Sequence, residues 1–121
     1  TFAAGAMLAA CFDVRVMRTD RGFWCLPEVD LGLPLTAPMF AAVTARLPIH
    51  VAAEAMNSGR RYTAEEARLA GLVEHAVAEH EVVERAIQLA APVASKDRSV
   101  IAAHKRMLFS GAAQRCGVTP T

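Results

Sequence analysis

Phe23-Trp24-Cys25-Leu26-Pro27-Glu28-Val29-Asp30-Leu31-Gly32-Leu33-Pro34 opens as an apolar, strand-like run and closes in a Gly/Pro turn. A single carboxylate, Glu28, stands between the two with large apolar residues on both sides. Low-dielectric surroundings disfavour the charged form of a carboxylate, which is how an acid residue becomes a general base at working pH. The other reading places Glu28 at a strand end facing water, the ordinary position of a carboxylate. The residues alone leave both readings open. Asp30 is a rival base, because a continuing strand would put it on the same face as Glu28.

Upstream of this stretch, Phe2-Ala3-Ala4-Gly5-Ala6-Met7-Leu8-Ala9-Ala10-Cys11-Phe12 is almost wholly apolar. It reads as a small-residue turn at Ala3-Ala4-Gly5 running into a buried helix that Asp13 ends. Chain ends usually lie in water, so so apolar an opening suggests further chain ahead of Thr1. Val14 to Met17 alternates like a strand, Arg18 to Gly22 is a polar turn, and Phe23 to Leu26 is a second short strand.

Downstream of Pro34 the pattern turns helical. Thr36 caps a helix from Ala37 to about Ala45, with Pro38 tolerated in the first turn. Pro48 starts a helix that carries Val51, Ala55 and Met56 and stops at Asn57-Ser58-Gly59. Thr63-Ala64-Glu65-Glu66 is a capping box whose helix ends at Gly71. Leu72 to Val77 reads as a short strand. A helix from Glu79 to Ala94 follows, striped by Val82, Val83, Ala86, Leu89 and Ala90 and bent or ended by Pro92. The last helix runs from Ser99 to Ala112, before a frayed tail over 115–121.

Composition narrows the classes of partner. The chain has 121 residues, 54% of them hydrophobic, and a net charge of +1. That balance lacks the concentrated basic face that nucleic acid requires. No apolar run is long enough for a bilayer, and Thr1 to Ala10 lacks the basic start of a signal peptide. Cys11, Cys25 and Cys116 are odd in number with no CxxC, which suits reduced thiols packed mostly as small core residues in the cytoplasm. No His spacing suits a metal, and the four histidines read as surface or packing residues.

Three segments together resemble the crotonase superfamily of enoyl-CoA hydratases and isomerases. They are Ala3 to Asp13, Arg18 to Pro34, and Gly59-Arg60-Arg61-Tyr62-Thr63-Ala64-Glu65-Glu66-Ala67-Arg68-Leu69-Ala70-Gly71-Leu72-Val73. The likeness covers residues 1 to about 112. It implies an α/β fold: the C-terminal half of the crotonase spiral as a partial core over residues 1–78, then a helical C-terminal region and tail over 79–121. Superfamily members are longer, and the resemblance puts their first half, with one oxyanion-hole amide, ahead of Thr1.

The resemblance also assigns roles. Such enzymes bind acyl-CoA thioesters and hold an enolate on two backbone N–H groups, one at a helix start. By position the Ala4 amide matches that donor, with Gly5 beside it. A tight helix–sheet contact would need the same small residues. Hydratases of the family use two glutamates, one on the first helix and one at the position of Glu28. Here Met7 occupies the first position and cannot exchange a proton. The implied reaction is therefore Δ3,Δ2-enoyl-CoA isomerisation by the single base Glu28, in fatty-acid β-oxidation. Asp30 falls outside the pocket by the same likeness. Phe23, Trp24 and Leu33 are core candidates that also suit the substrate pocket. Asp13 is a helix-end hydrogen-bonding residue, and Lys105 is solvated rather than set against a CoA phosphate. No cofactor is implied, CoA being part of the substrate, and the expected assembly is a homotrimer or a dimer of trimers. Two alternatives stand beside this one: a non-catalytic chain that serves assembly, and, disfavoured by Met7, a hydratase.

Overall fold

The computed structural model describes residues 1–118. Helix α1 (Ala4–Ala10) leads to strand β1 (Val16–Arg18), and a 3₁₀ turn over Pro27–Val29 precedes helices α2 (Ala37–Thr44), α3 (Ile49–Ser58) and α4 (Ala64–Ala70). Strand β2 (His75–Val77) and a 3₁₀ turn over Glu79–Glu81 then lead to α5 (Val82–Ala94) and α6 (Arg98–Arg115). β1 and β2 pair in parallel, Val16 with His75, Met17 with Ala76 and Arg18 with Val77. A parallel pair needs a long crossover, and here α2, α3 and α4 supply it.

Local chemistry accounts for most boundaries. Thr63 and Glu66 form the reciprocal capping box, and Gly59 and Gly71 end α3 and α4 in the left-handed conformation. Thr36 stands at the start of α2 with an extended backbone, but its side chain makes no capping bond; Pro38 sits in the first turn. Asp97 caps α6 by accepting from the Ser99 and Val100 amides, so this helix begins at Arg98 and runs on to Arg115.

Several expected elements are shorter or different. α1 ends at Ala10, not Asp13, and is only half buried: Ala6, Met7 and Ala10 face inward while Leu8 and Phe12 are exposed. Phe23 to Leu26 forms no continuous strand; it makes two isolated bridges, Cys25 with Phe2 and Trp24 with Tyr62. Leu72 and Val73 are buried but precede β2, because the Gly71 cap folds their amides back onto the Ala67 carbonyl. Pro92 does not stop α5, which continues to Ala94: proline at the last turn removes only one late hydrogen bond. The end of α6 is a closed cap, with the Gly117 and Val118 amides bonded to Gln114 and Ala113, rather than a fray; residues 119–121 of the expected tail lie outside the described residues. Of the cysteines only Cys25 is buried; Cys11 and Cys116 lie at helix ends and are exposed.

The core gathers Trp24 and Leu26 from the central stretch, Met7 from α1, Val43 from α2, Val51 and Ala55 from α3, and Tyr62, Ala67 and Leu72 around α4. α5 and α6 bury no residue, and Val83, Ile87, Met107 and Leu108 remain exposed on them.

Candidate active site

Thr1 to Ala3 runs alongside Phe23 to Cys25. The Cys25 amide donates to the Thr1 carbonyl and the Ala3 amide to the Cys25 carbonyl, both at 3.1 Å. This lattice puts the first turn of α1 beside the segment that ends, three residues later, at Glu28. Ala3 is bent to φ 49° and ψ −123°, an unusual backbone for a residue with a side chain, at the point where α1 begins. The Gly5 amide donates to the Phe2 carbonyl at 3.0 Å, whereas the Ala4 amide has no backbone acceptor among the described residues. A Cβ at Gly5 would lie 2.5 Å from Thr1 Oγ1, so the Thr1 side chain would have to turn aside.

Glu28 sits in the middle of the Pro27–Val29 3₁₀ turn and is 8% exposed. The turn follows from Pro27, whose fixed φ favours the first helical position. It is tied by the Leu31 and Leu33 amides, which donate to the Glu28 carbonyl at 3.1 and 2.9 Å. Glu28 Oε2 is shut off from solvent and has no hydrogen-bond partner among the described residues. A buried carboxylate oxygen left unpaired is costly; Trp24 Nε1 and Arg46 Nε are likewise buried without a partner among the described residues. Asp30, the rival base, is exposed.

The remaining named residues fall in different places. Trp24 is sunk in the core, its ring edge-on to Tyr62 at 6.2 Å. Phe23 is half-buried next to it in sequence. Leu33 is exposed and lines a cavity of about 370 Å³ with Val29, Leu35 and Met56, directly beyond the Glu28 turn. The larger cavity, about 690 Å³, lies elsewhere, between the Phe12–Val14 segment and α5 and α6. Asp13 is held by Arg46 at 3.0 Å and by Lys105, and Asp13 and Lys105 both line this cavity while remaining about half exposed. Met7 is buried on α1 and carries no ionisable group. Among the described residues, no group of His, Cys, Asp and Glu is arranged to hold a metal ion, and no helix is long and apolar enough to cross a membrane.

One residue around the site escaped the sequence reading. Tyr62 exchanges two 2.9 Å backbone hydrogen bonds with Trp24, and its hydroxyl donates to Glu54 Oε2 at 2.7 Å. Arg60 lies over the Tyr62 ring at 4.6 Å and bridges Glu54 and Glu66. Burial, with the bond to Glu54, pushes the Tyr62 hydroxyl up to about 12. An aromatic just before a capping box is the signal that was available.

The family model of enoyl-CoA hydratase/isomerase matches residues 1–116. The chain belongs to the enoyl-CoA hydratase/isomerase family. Among members of this family, enoyl-CoA hydratase domain-containing protein 3, mitochondrial, of Rattus norvegicus is 35% identical over 107 residues, 88% of this chain and 35% of its own length. Enoyl-CoA delta isomerase 3 of Arabidopsis thaliana is 36% identical over 97 residues, 78% of this chain and 41% of its own length. The crystal structure of human mitochondrial Δ3-Δ2-enoyl-CoA isomerase superposes with a TM-score of 0.88 at 23% identity, covering 94% of this chain and 45% of that one. At that identity the likeness shows the fold, which is the helix-rich, C-terminal part of the crotonase fold with its small sheet. The chain spans between a third and a half of the length of these relatives.

Proposed function

We propose that this chain carries the acid–base half of an enoyl-CoA isomerase site and that Glu28 is its base. The observation that carries this reading is the Glu28 carboxylate: buried, with one oxygen unpaired, in a turn that packs on α3 and follows the Cys25 segment bonded to Thr1 and Ala3. In the proposed reaction Glu28 takes a proton from C2 of a 3-enoyl-CoA. The electron pair moves onto the thioester oxygen as a dienolate, which the Ala4 amide stabilises as one hydrogen-bond donor. The protonated Glu28 then returns the proton at C4, and the double bond ends between C2 and C3. No water is consumed and no second acid is needed, which suits the presence of Met7 where a hydratase would place its other glutamate. Phe23 and Leu33 are proposed to line the acyl side of the site, with Trp24 buttressing it from the core. No cofactor enters, because the CoA moiety arrives with the substrate. A reducing cytoplasmic setting is proposed from the three free cysteines.

The direct test is to incubate the purified chain with a 3-enoyl-CoA and follow formation of the conjugated 2-enoyl product. Formation of that product by the wild type, and its loss in Glu28→Gln, supports the proposal. Hydration of a 2-enoyl-CoA in place of isomerisation overturns it in favour of the hydratase.

A second reading has its own observation. α5 and α6 bury no residue and expose Val83, Ile87, Met107 and Leu108, as helices do that are completed by a neighbour. A chain acting only in assembly, as part of a homotrimer or a dimer of trimers, would self-associate and show no turnover. Light scattering together with the isomerase assay separates the two.

A further inference from the structure

Gly59 touches both flanks of the turn that presents Glu28. Its carbonyl accepts the Cys25 thiol at 3.2 Å, three residues before Glu28. On the other flank, the Asp30 carboxylate is pressed against its Cα, so close that a Cβ at position 59 would lie 2.5 Å from Asp30 Oδ2 and 3.1 Å from Cγ. Gly59 is itself buried, at φ 62° and ψ 18°, where it ends α3. Its missing side chain therefore answers two separate demands, a left-handed backbone and a seat for the turn. Cys25 in turn bonds through its backbone to Thr1 and Ala3, which lead into α1. Gly59 thus touches the segment that leads into α1 through its carbonyl and the residue that follows the Glu28 turn through its bare Cα.

We infer that Gly59 is a positioning residue for Glu28: its lack of a side chain fixes where the Pro27–Val29 turn sits on the end of α3. The inference rests on the proposed role of Glu28 for its catalytic consequence, but the geometric claim stands apart from it. A Cβ at residue 59 must displace the Asp30 carboxylate, and on this proposal the push reaches the turn through the Asp30 backbone, whose amide donates to the Pro27 carbonyl at 3.0 Å. Relocating a base by a fraction of an ångström costs turnover without removing the groups that hold the thioester.

The test compares wild type, Gly59→Ala, Gly59→Asn and Gly59→Ala/Asp30→Ala by amide hydrogen exchange in the full chain. Asparagine adopts the left-handed backbone more readily than alanine yet brings the same Cβ, so it keeps the comparison valid where Gly59→Ala does not fold. The expected result is exchange about tenfold faster at the Asp30 and Leu33 amides in both single variants, with the Ala67 amide of α4 unchanged. Removing the Asp30 carboxylate should return the turn amides of the Gly59→Ala protein toward wild-type rates. In the isomerase assay the single variants should lose kcat with KM for the enoyl-CoA held within about twofold, and the double variant should recover it. Unchanged protection at Leu33, loosening spread equally into α4, or no rescue by Asp30→Ala overturns the inference. A wild type without turnover overturns the isomerase reading instead, and the exchange comparison still decides the role of Gly59.

Discussion

Arg15 and Glu74, 59 residues apart, are joined at three points: the Arg15 amide donates to Oε2 at 2.6 Å, Nε to Oε2 at 3.1 Å and Nη2 to Oε1 at 2.5 Å. The Arg15 guanidinium is buried, while Glu74 is about one-third exposed. The pair locks the entry of β1 to the entry of β2, since the Glu74 and His75 amides also bond to the Arg15 carbonyl. Desolvation pushes the Glu74 carboxyl up, but the side-chain and backbone hydrogen bonds from Arg15 outweigh it and hold the group below its ordinary 4.5. A depressed carboxyl contributes stability that is present above its unfolded value and lost as the pH falls through the folded one. Glu74→Gln is expected to lower stability at neutral pH by about 1–2 kcal/mol, the cost of breaking a buried pair discounted for the exposed partner. Urea melts of both proteins should converge as the pH drops below 4.5. Equal midpoints at neutral pH would remove the pair from the stability of the sheet.

Tyr62 offers a clean spectroscopic reading, because it is the sole tyrosine of the chain. Its hydroxyl is pushed up to about 12, first by burial and then by the bond to Glu54. The unfolded chain loses that proton near 10, so between these values the unfolded state binds fewer protons and stability falls as pH rises. Tyrosinate absorbance should therefore be absent at pH 10 in the native protein and should appear there once the chain is unfolded in denaturant. Native absorbance that titrates at the ordinary value would mean that the hydroxyl does not sit against Glu54.

What the sequence made legible was local. The Thr63–Glu66 capping box lies within one turn and is decided by its own residues, and Gly59 and Gly71 mark helix ends for the same reason. Glu28 stands out in the sequence by its apolar neighbours, which left a buried and a water-facing carboxylate both open; in the structure it is buried. Its setting was not legible: the stretch looks like a strand, but a strand needs a partner, and Trp24 and Cys25 find only single bridging residues in Tyr62 and Phe2. Proline then turns Pro27–Val29 into a 3₁₀ turn. The contact of Asp30 with Gly59 joins residues that no local pattern connects, and the same holds for Arg15 with Glu74.

A charge network helps to tie the last helix, which half-buries Ile101, Ala102 and Phe109, to the rest of the chain. Asp13 receives Arg46 from the end of α2 and Lys105 from α6, and Arg46 also stacks on the Phe109 ring at 5.1 Å. All three charged groups are at least partly exposed, so the network is worth about 1 kcal/mol and is screened by salt. Asp13→Asn is expected to speed amide exchange and proteolysis within α6, with α4 unaffected. Raising the salt concentration should reproduce the effect in the wild type but add little in the variant. A variant whose α6 stays as protected as the wild type would assign the docking of this helix to its apolar contacts instead.

Glu28 itself should show the trade between stability and activity that a functional carboxylate carries. Glu28→Gln preserves the shape and removes a buried charge whose Oε2 has no partner among the described residues. Its unfolding midpoint is therefore expected to match or exceed that of the wild type, by up to about 1 kcal/mol. Turnover of a 3-enoyl-CoA should be abolished, because glutamine accepts no proton, with the loss in kcat and little change in KM. Asp30→Asn should be mild by comparison, since Asp30 is exposed and seated on Gly59. Met7→Glu should add a trace of hydratase activity by restoring a second acid–base group, at a cost in stability, because Met7 is buried on α1. The pairing of effects decides the matter. A purely structural carboxylate would lose stability when replaced and leave catalysis in proportion to the folded fraction. A base loses catalysis while the fold is kept or strengthened, so a Glu28→Gln protein that melts early and turns over at the wild-type rate per folded molecule would take Glu28 out of the mechanism.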